Sequence, residues 1–130
     1  MDGGLRLLFR KHLTKVDWQA IESSTGLGIP DLNGCVDGIE FWIECKAAAH
    51  WRVKISPEQV GWAERRARRG GRVFLAARRA SDELWLFKAS SVRDLASQRL
   101  DAVPCLGHWA GGPARWDWPA VSSLLSARQC

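Results

Sequence analysis

Tyrosine is absent from these 130 residues, methionine occurs once, and no two of the four cysteines stand in a Cys-x-x-Cys spacing. Without such a pair, Cys35, Cys45, Cys105 and Cys130 do not make a zinc cluster. An even count allows two disulfides. Cys45, however, lies inside an apolar stretch, where a free thiol acts as a small hydrophobe. A reduced, cytoplasmic protein is therefore expected. No apolar run approaches the roughly 18 residues of a membrane span. The opening "MDGGLRLLFRKHL" is too short in apolar residues for a signal peptide. No internal repeat and no low-complexity linker is present, so one domain over residues 1–130 is the expectation. Acids are missing where bases are densest: from Arg65 to Arg79 there are seven arginines and no Asp or Glu.

What is present is ordinary globular composition, 46% hydrophobic and 25% charged, with eight tryptophans and a net charge of +5. Such a balance suits a polyanionic partner without requiring one. "LRLLFRKHL" places Leu5, Leu8, Phe9 and His12 on one side at helical spacing. "VDWQAIE" alternates as a strand, and "SSTGLG" supplies a turn. Asn33-Gly34 and Asp37-Gly38 are both turn signals. "IEFWIECKA" reads as a buried strand. "SPEQVGWAERRARRGG" reads as a helix, with Ser56 as N-cap, Pro57 at its first position, Gln59 completing a capping box, and Gly70-Gly71 ending it. "RVFLAAR" and "ELWLF" follow as strands joined by a hairpin loop. "SSVRDLAS" reads as a short capped helix, Leu100 to Trp118 as loop, and "WPAVSSLLSA" as a closing helix. The order is near αβββαββα, one α/β domain.

The strand at Ile39–Lys46 carries charge at its end. Alternation sends Ile39, Phe41, Ile43 and Cys45 to the core face. Glu40, Trp42, Glu44 and Lys46 fall on the opposite face, where they can line a cleft. Upstream, Asp31 follows Pro30 in a turn; downstream, Gln59 opens a helix. Taken singly, Asp31 is a turn residue and Glu44 with Lys46 a solvated ion pair of little energetic weight.

Jointly, Pro30-Asp31, Glu44-Cys45-Lys46 and Gln59 resemble the PD-(D/E)xK nuclease superfamily. "GIPDLN", "FWIECKAA" and "ISPEQVGW" look most like its VRR-Nuc branch, including small stand-alone phage members. The likeness covers roughly Glu22 to Ala77. It implies a restriction-endonuclease-like fold, a mixed central β-sheet flanked by helices. It further implies a metal-dependent DNA endonuclease that cuts branched DNA such as four-way (Holliday) junctions, in the bacterial host cytoplasm if phage-encoded. By that resemblance Asp31, Glu44 and the backbone carbonyl of Cys45 hold Mg²⁺, for which Mn²⁺ can substitute. Carboxylates suit such a hard cation. Lys46 holds or polarises the attacking water, and Gln59 orients the lysine or the water. Glu22, nine residues before Asp31, is a further candidate ligand, although it falls on an expected strand rather than on the first helix.

The basic run reads either as a solvated helix face or as a phosphate-contacting surface. Lys54, Arg65, Arg66, Arg69 and Arg72 are the candidates for DNA binding. Trp42, Trp51 and Trp62 could stack on bases, with core placement favoured for Trp42 and Trp62. A homodimer is expected, since cutting two strands together takes two sites. Other readings are a less selective endonuclease or one directed to flaps or nicked duplex, a catalytically inactive nucleic-acid-binding module, and an interaction module built on the tail "HWAGGPARWDW".

Overall fold

The computed structural model describes residues 2–22 and 26–127. Helix α1 (Leu5–His12) leads into strands β1 (Asp17–Ala20), β2 (Leu32–Val36) and β3 (Ile39–Ala48). Helix α2 (Pro57–Arg68) precedes β4 (Arg72–Arg79) and β5 (Glu83–Lys88). The short helix α3 (Val92–Leu95), strand β6 (Gly107–Trp109) and helix α4 (Trp118–Ser126) complete the chain. The six strands form one sheet in sequence order, antiparallel except for the β3–β4 pair. That exception follows from α2: a helix between two strands returns the chain to the end it started from, so the next strand runs parallel.

The expected alternation along β3 is present. Phe41, Ile43 and Cys45 join Leu32, Phe74 and Leu86 under α1 and α4, which contribute Leu5, Phe9, Val121 and Leu125. Trp42 and Ala48 lie with Leu75, Ala77 and Phe87 under α2 and α3, which contribute Val60, Ala63, Val92 and Leu95. The result is the mixed central sheet with helices on both sides. Because both faces are covered, Glu44 is buried at 7% exposure rather than lining an open cleft.

Helix α2 starts as its sequence dictates. Ser56 Oγ accepts from the Gln59 N–H at 3.2 Å, and Gln59 Oε1 accepts from the Ser56 N–H at 3.0 Å. This reciprocal cap satisfies two donors that the first turn would otherwise leave unpaired, and contributes about 1 kcal/mol.

Several local expectations are corrected. Asn33-Gly34 is not a turn but the middle of β2. Gly34 is required there for close approach: a Cβ would sit 2.7 Å from the Phe41 ring and 2.9 Å from that of Trp18. Asp37-Gly38 does form the β2–β3 hairpin. The expected first strand is shorter than read, and residues 23–25 of the "SSTGLG" turn lie outside the described residues. Ser91 does not cap α3 through its side chain; its Oγ donates to the Pro104 carbonyl at 3.3 Å. The segment read as loop after Leu100 contains β6, which extends the sheet beyond β5. The Trp-rich tail is not a free surface either, because Trp116 and Trp118 are buried beside α1. Cys35, Cys45 and Cys105 are free thiols, and Cys130 lies outside the described residues.

Candidate active site

Asp31 stands at the bend before β2, fixed by its own carbonyl, which accepts from the Ile21 N–H at 2.8 Å. Its Oδ2 accepts from the Cys45 N–H at 3.0 Å. The carboxylate thus reaches β3 at the residue between Glu44 and Lys46. Glu44 also hydrogen-bonds Asp31, and its Oε1 is buried with no partner. Burial first, then the hydrogen bond and charge of Asp31, push the Glu44 carboxyl up to about 9, against a smaller opposing pull from Lys46. Burial likewise holds the Cys45 thiol well above its ordinary range, so it stays neutral.

Lys46 Nζ donates to Gln59 Oε1 at 3.0 Å, the same oxygen that caps α2. The capping role and the lysine contact therefore coexist in one amide.

The donor set fits a divalent metal. Two carboxyls share one small space, one of them with an orphaned oxygen, and without a cation they are reconciled by a raised pKa. The Cys45 N–H points to the Asp31 side, where β2 has already ended, since its last pair is Leu32 with Ile43. In an extended strand the carbonyl of a residue points to the same edge as its N–H, so the Cys45 carbonyl is aimed there too.

Glu22 is not brought to this pair. It is exposed just past β1 and lines a shallow cavity with Asp2, Arg6 and Arg10. Among the described residues, no third His, Cys, Asp or Glu completes a metal-holding cluster. Sequence reading missed Arg6. Its Nε donates to Asp2 Oδ2 at 2.9 Å, and that bond first, then the charges of Asp2 and Asp31, favour its charged guanidinium. The four-residue spacing of Asp2 and Arg6 was the available signal.

The α2 flank beside β3 is basic. Arg66 lies over the Trp62 ring at 4.4 Å and the Trp42 ring at 5.5 Å, while the two rings meet edge to face at 5.2 Å. Arg65, Arg66, Arg68 and Arg69 with Trp62 line a notch of about 370 Å³. Arg68 is an addition to the sequence-derived set. Trp42 precedes Glu44 by two residues on the same face of β3, and Arg66 reaches that strand through the Trp42 ring. Trp42 and Trp62 are half-buried seats for Arg66 rather than fully enclosed core. Lys54 is exposed in the loop before α2. Arg72 is engaged elsewhere: it donates to the Leu125 carbonyl at 2.9 Å and the Leu124 carbonyl at 3.1 Å, tying β4 to the last turn of α4. The Trp51 ring packs against the guanidinium groups of Arg79 at 3.7 Å and Arg99 at 4.8 Å.

A mixed sheet with Glu44 and Lys46 on its third strand, and Asp31 reaching that strand from the bend before β2, defines a PD-(D/E)xK-type nuclease fold. Residues 10–101 match the family described as archaeal Holliday junction resolvase (hjc), and the chain belongs to that family. Among solved structures it is similar to Hjc of Archaeoglobus fulgidus, a Holliday junction resolvase from an archaeal hyperthermophile. That likeness has a TM-score of 0.55 and 15% identity, over 67% of this chain and 75% of that one, and shows the shared fold. No curated protein sequence matches the chain.

Proposed function

We propose that this chain is a divalent-metal-dependent endonuclease that hydrolyses phosphodiester bonds in branched DNA, with four-way junctions as its preferred substrate. The observation that carries the reading is the buried Asp31–Glu44 pair abutting Lys46–Gln59 at one end of β3. Family membership supports the choice of junctions.

Asp31, Glu44 and the Cys45 carbonyl would hold the cation, with Mg²⁺ the favoured ion and Mn²⁺ able to replace it. When bound, it neutralises phosphate charge and lowers the pKa of attached water. Lys46, held by Gln59 Oε1, orients the attacking water and offsets charge as the phosphate becomes more negative. The positive end of α2, beside Lys46, favours a nearby phosphate. Arg65, Arg66 and Arg69 contact the backbone of the bound strand, joined by Arg68 and by Lys54. Residues 1–130 work as one nuclease domain. The likeness of "GIPDLN" and "ISPEQVGW" to the VRR-Nuc branch supports a small stand-alone, phage-type enzyme acting in the host cytoplasm. Two copies act together as a homodimer, because one chain offers one site and resolution cuts two strands.

The test is cleavage of a labelled four-way junction, a 5′ flap, a linear duplex and a single strand, with Mg²⁺, Mn²⁺ or EDTA. Metal-dependent, paired nicking of the junction, abolished in Asp31→Asn, is expected. Equal cutting of every substrate would remove the junction preference. Tight binding without cutting would make the chain a binding module.

A further inference from the structure

Gly28 is where the loop that carries Asp31 meets the helix that carries Gln59. Its backbone is left-handed, φ +78°, and a Cβ built there would lie 2.2 Å from the Glu58 carbonyl oxygen and 2.6 Å from the Gln59 nitrogen. These are main-chain atoms in the first turn of a capped helix, so no side-chain rotation can make room. Gly26, two residues earlier, has a similar backbone at φ +70° with nothing within 4 Å of its Cβ position.

The contact closes a ring of short links. From Gly28 the chain passes through Ile29 and the buried Pro30 to Asp31, whose Oδ2 is held by the Cys45 N–H. From Glu58 the next residue is Gln59, whose Oε1 holds Lys46 Nζ. Cys45 and Lys46 are adjacent on β3, so the ring returns to its start. We propose that Gly28 is a positioning residue that sets the spacing between the Asp31–Glu44 carboxyls and the Lys46–Gln59 pair. A side chain at Gly28 pushes the Asp31 arm away, because the first turn of α2 is held by its reciprocal cap and by Val60 and Ala63 in the core. The carboxyls then lose their placement, while α2 keeps its arginines. This inference rests on reading the carboxyl pair as the metal site.

The test compares Gly28→Ala with Gly26→Ala, which carries the same backbone strain without the collision. Mn²⁺ binding to each protein alone is read by calorimetry, and the metal concentration for half-maximal junction cleavage is read in parallel. Gly28→Ala is expected to weaken Mn²⁺ binding by about tenfold or more, the loss typical of a supporting contact to metal ligands. Half-maximal cleavage should move with it, and junction binding in EDTA should hold. Gly26→Ala should match the parent. Equal Mn²⁺ binding by the two variants would overturn the proposal. If Gly28→Ala does not fold, the parent is titrated with Mg²⁺ while its backbone amides are followed by NMR. The Gly28 and Glu58 amides should shift with the half-saturation shown by Asp31; amides that stay still would overturn it. Asp31→Asn separates the two ideas. If it binds Mn²⁺ like the parent, the metal-site reading fails. If it loses Mn²⁺ while Gly28→Ala behaves like Gly26→Ala, only the positioning role fails.

Discussion

Lys46 Nζ and the Ser56 N–H converge on one acceptor, Gln59 Oε1, each at 3.0 Å. A helix cap and a charged side chain of the site thus depend on the same atom. Removing Gln59 should cost both stability and cleavage, whereas removing Ser56 costs mainly the cap. Gln59→Ala is expected to lose about 1 kcal/mol of stability and about 10- to 100-fold in junction cleavage rate. Ser56→Ala should lose similar stability with cleavage within about threefold of the parent. Thermal melts beside single-turnover rates check the split; parallel losses in both variants would reduce Gln59 to a cap.

Glu44 makes the metal-free fold sensitive to pH. Its folded pKa, about 9, lies above its ordinary 4.5. The folded chain therefore keeps a proton that the unfolded chain releases, so this stability is full below pH 4.5 and is lost as pH rises toward 9. At pH 7 the loss is up to about 3 kcal/mol. In EDTA the melting temperature of the parent should fall from pH 5 to pH 9. Glu44→Gln, which cannot ionise, should fall less and be the more stable of the two at pH 8. Overlapping melting curves for the two proteins across this range would contradict the environment assigned to Glu44.

Lys46→Ala should reduce cleavage by about 100-fold or more and leave junction binding in Ca²⁺ intact. Gel-shift titration beside a cleavage time course reads both. Cutting at the parental rate would remove Lys46 from the mechanism.

Arginines on α2 and at the start of β4 should part company. Arg66→Ala with Arg69→Ala is expected to weaken junction binding and flatten its salt dependence by a slope of about 2, one unit per phosphate contact. Trp62→Leu leaves the charge count alone but removes the ring under Arg66, and should weaken binding in the same direction. Arg72→Ala should lower the melting temperature, because it frees the α4 carbonyls, while the salt slope stays unchanged. A slope change for Arg72→Ala alone would relocate the DNA surface.

Much of the fold was legible where local chemistry and tertiary role agree. The alternation of Ile39 to Lys46 and the cap at Ser56 to Gln59 each carry their own signal, and both elements are present. Asn33-Gly34 was misread because the same dipeptide serves a turn or, as here, a strand pressed against Phe41 and Trp18. Strand β6 was missed because three residues show no period of their own; they are a strand only through pairing with β5. At the site, the resemblance to a nuclease superfamily, not spacing alone, singled out Asp31, Glu44, Lys46 and Gln59, and the fold links Asp31 to β3 and Lys46 to Gln59. Neither resemblance nor spacing could show that Glu44 is buried, that Trp42 and Trp62 seat Arg66, or that Gly28 presses on Glu58. Those are contacts between residues far apart in the chain, and no local pattern encodes them.

The family match ends at residue 101, yet Trp116, Trp118, Val121 and Leu125 lie behind it, packed on the face of the sheet opposite α2. Phe41, Ile43 and Cys45 rest on that layer, and Glu44 and Lys46 alternate with them along the same strand. The tail is therefore the anvil of the molecule. Thinning it by Trp118→Ala would loosen β3 from behind, and damage to cleavage would arrive from a residue buried on the far face of the sheet.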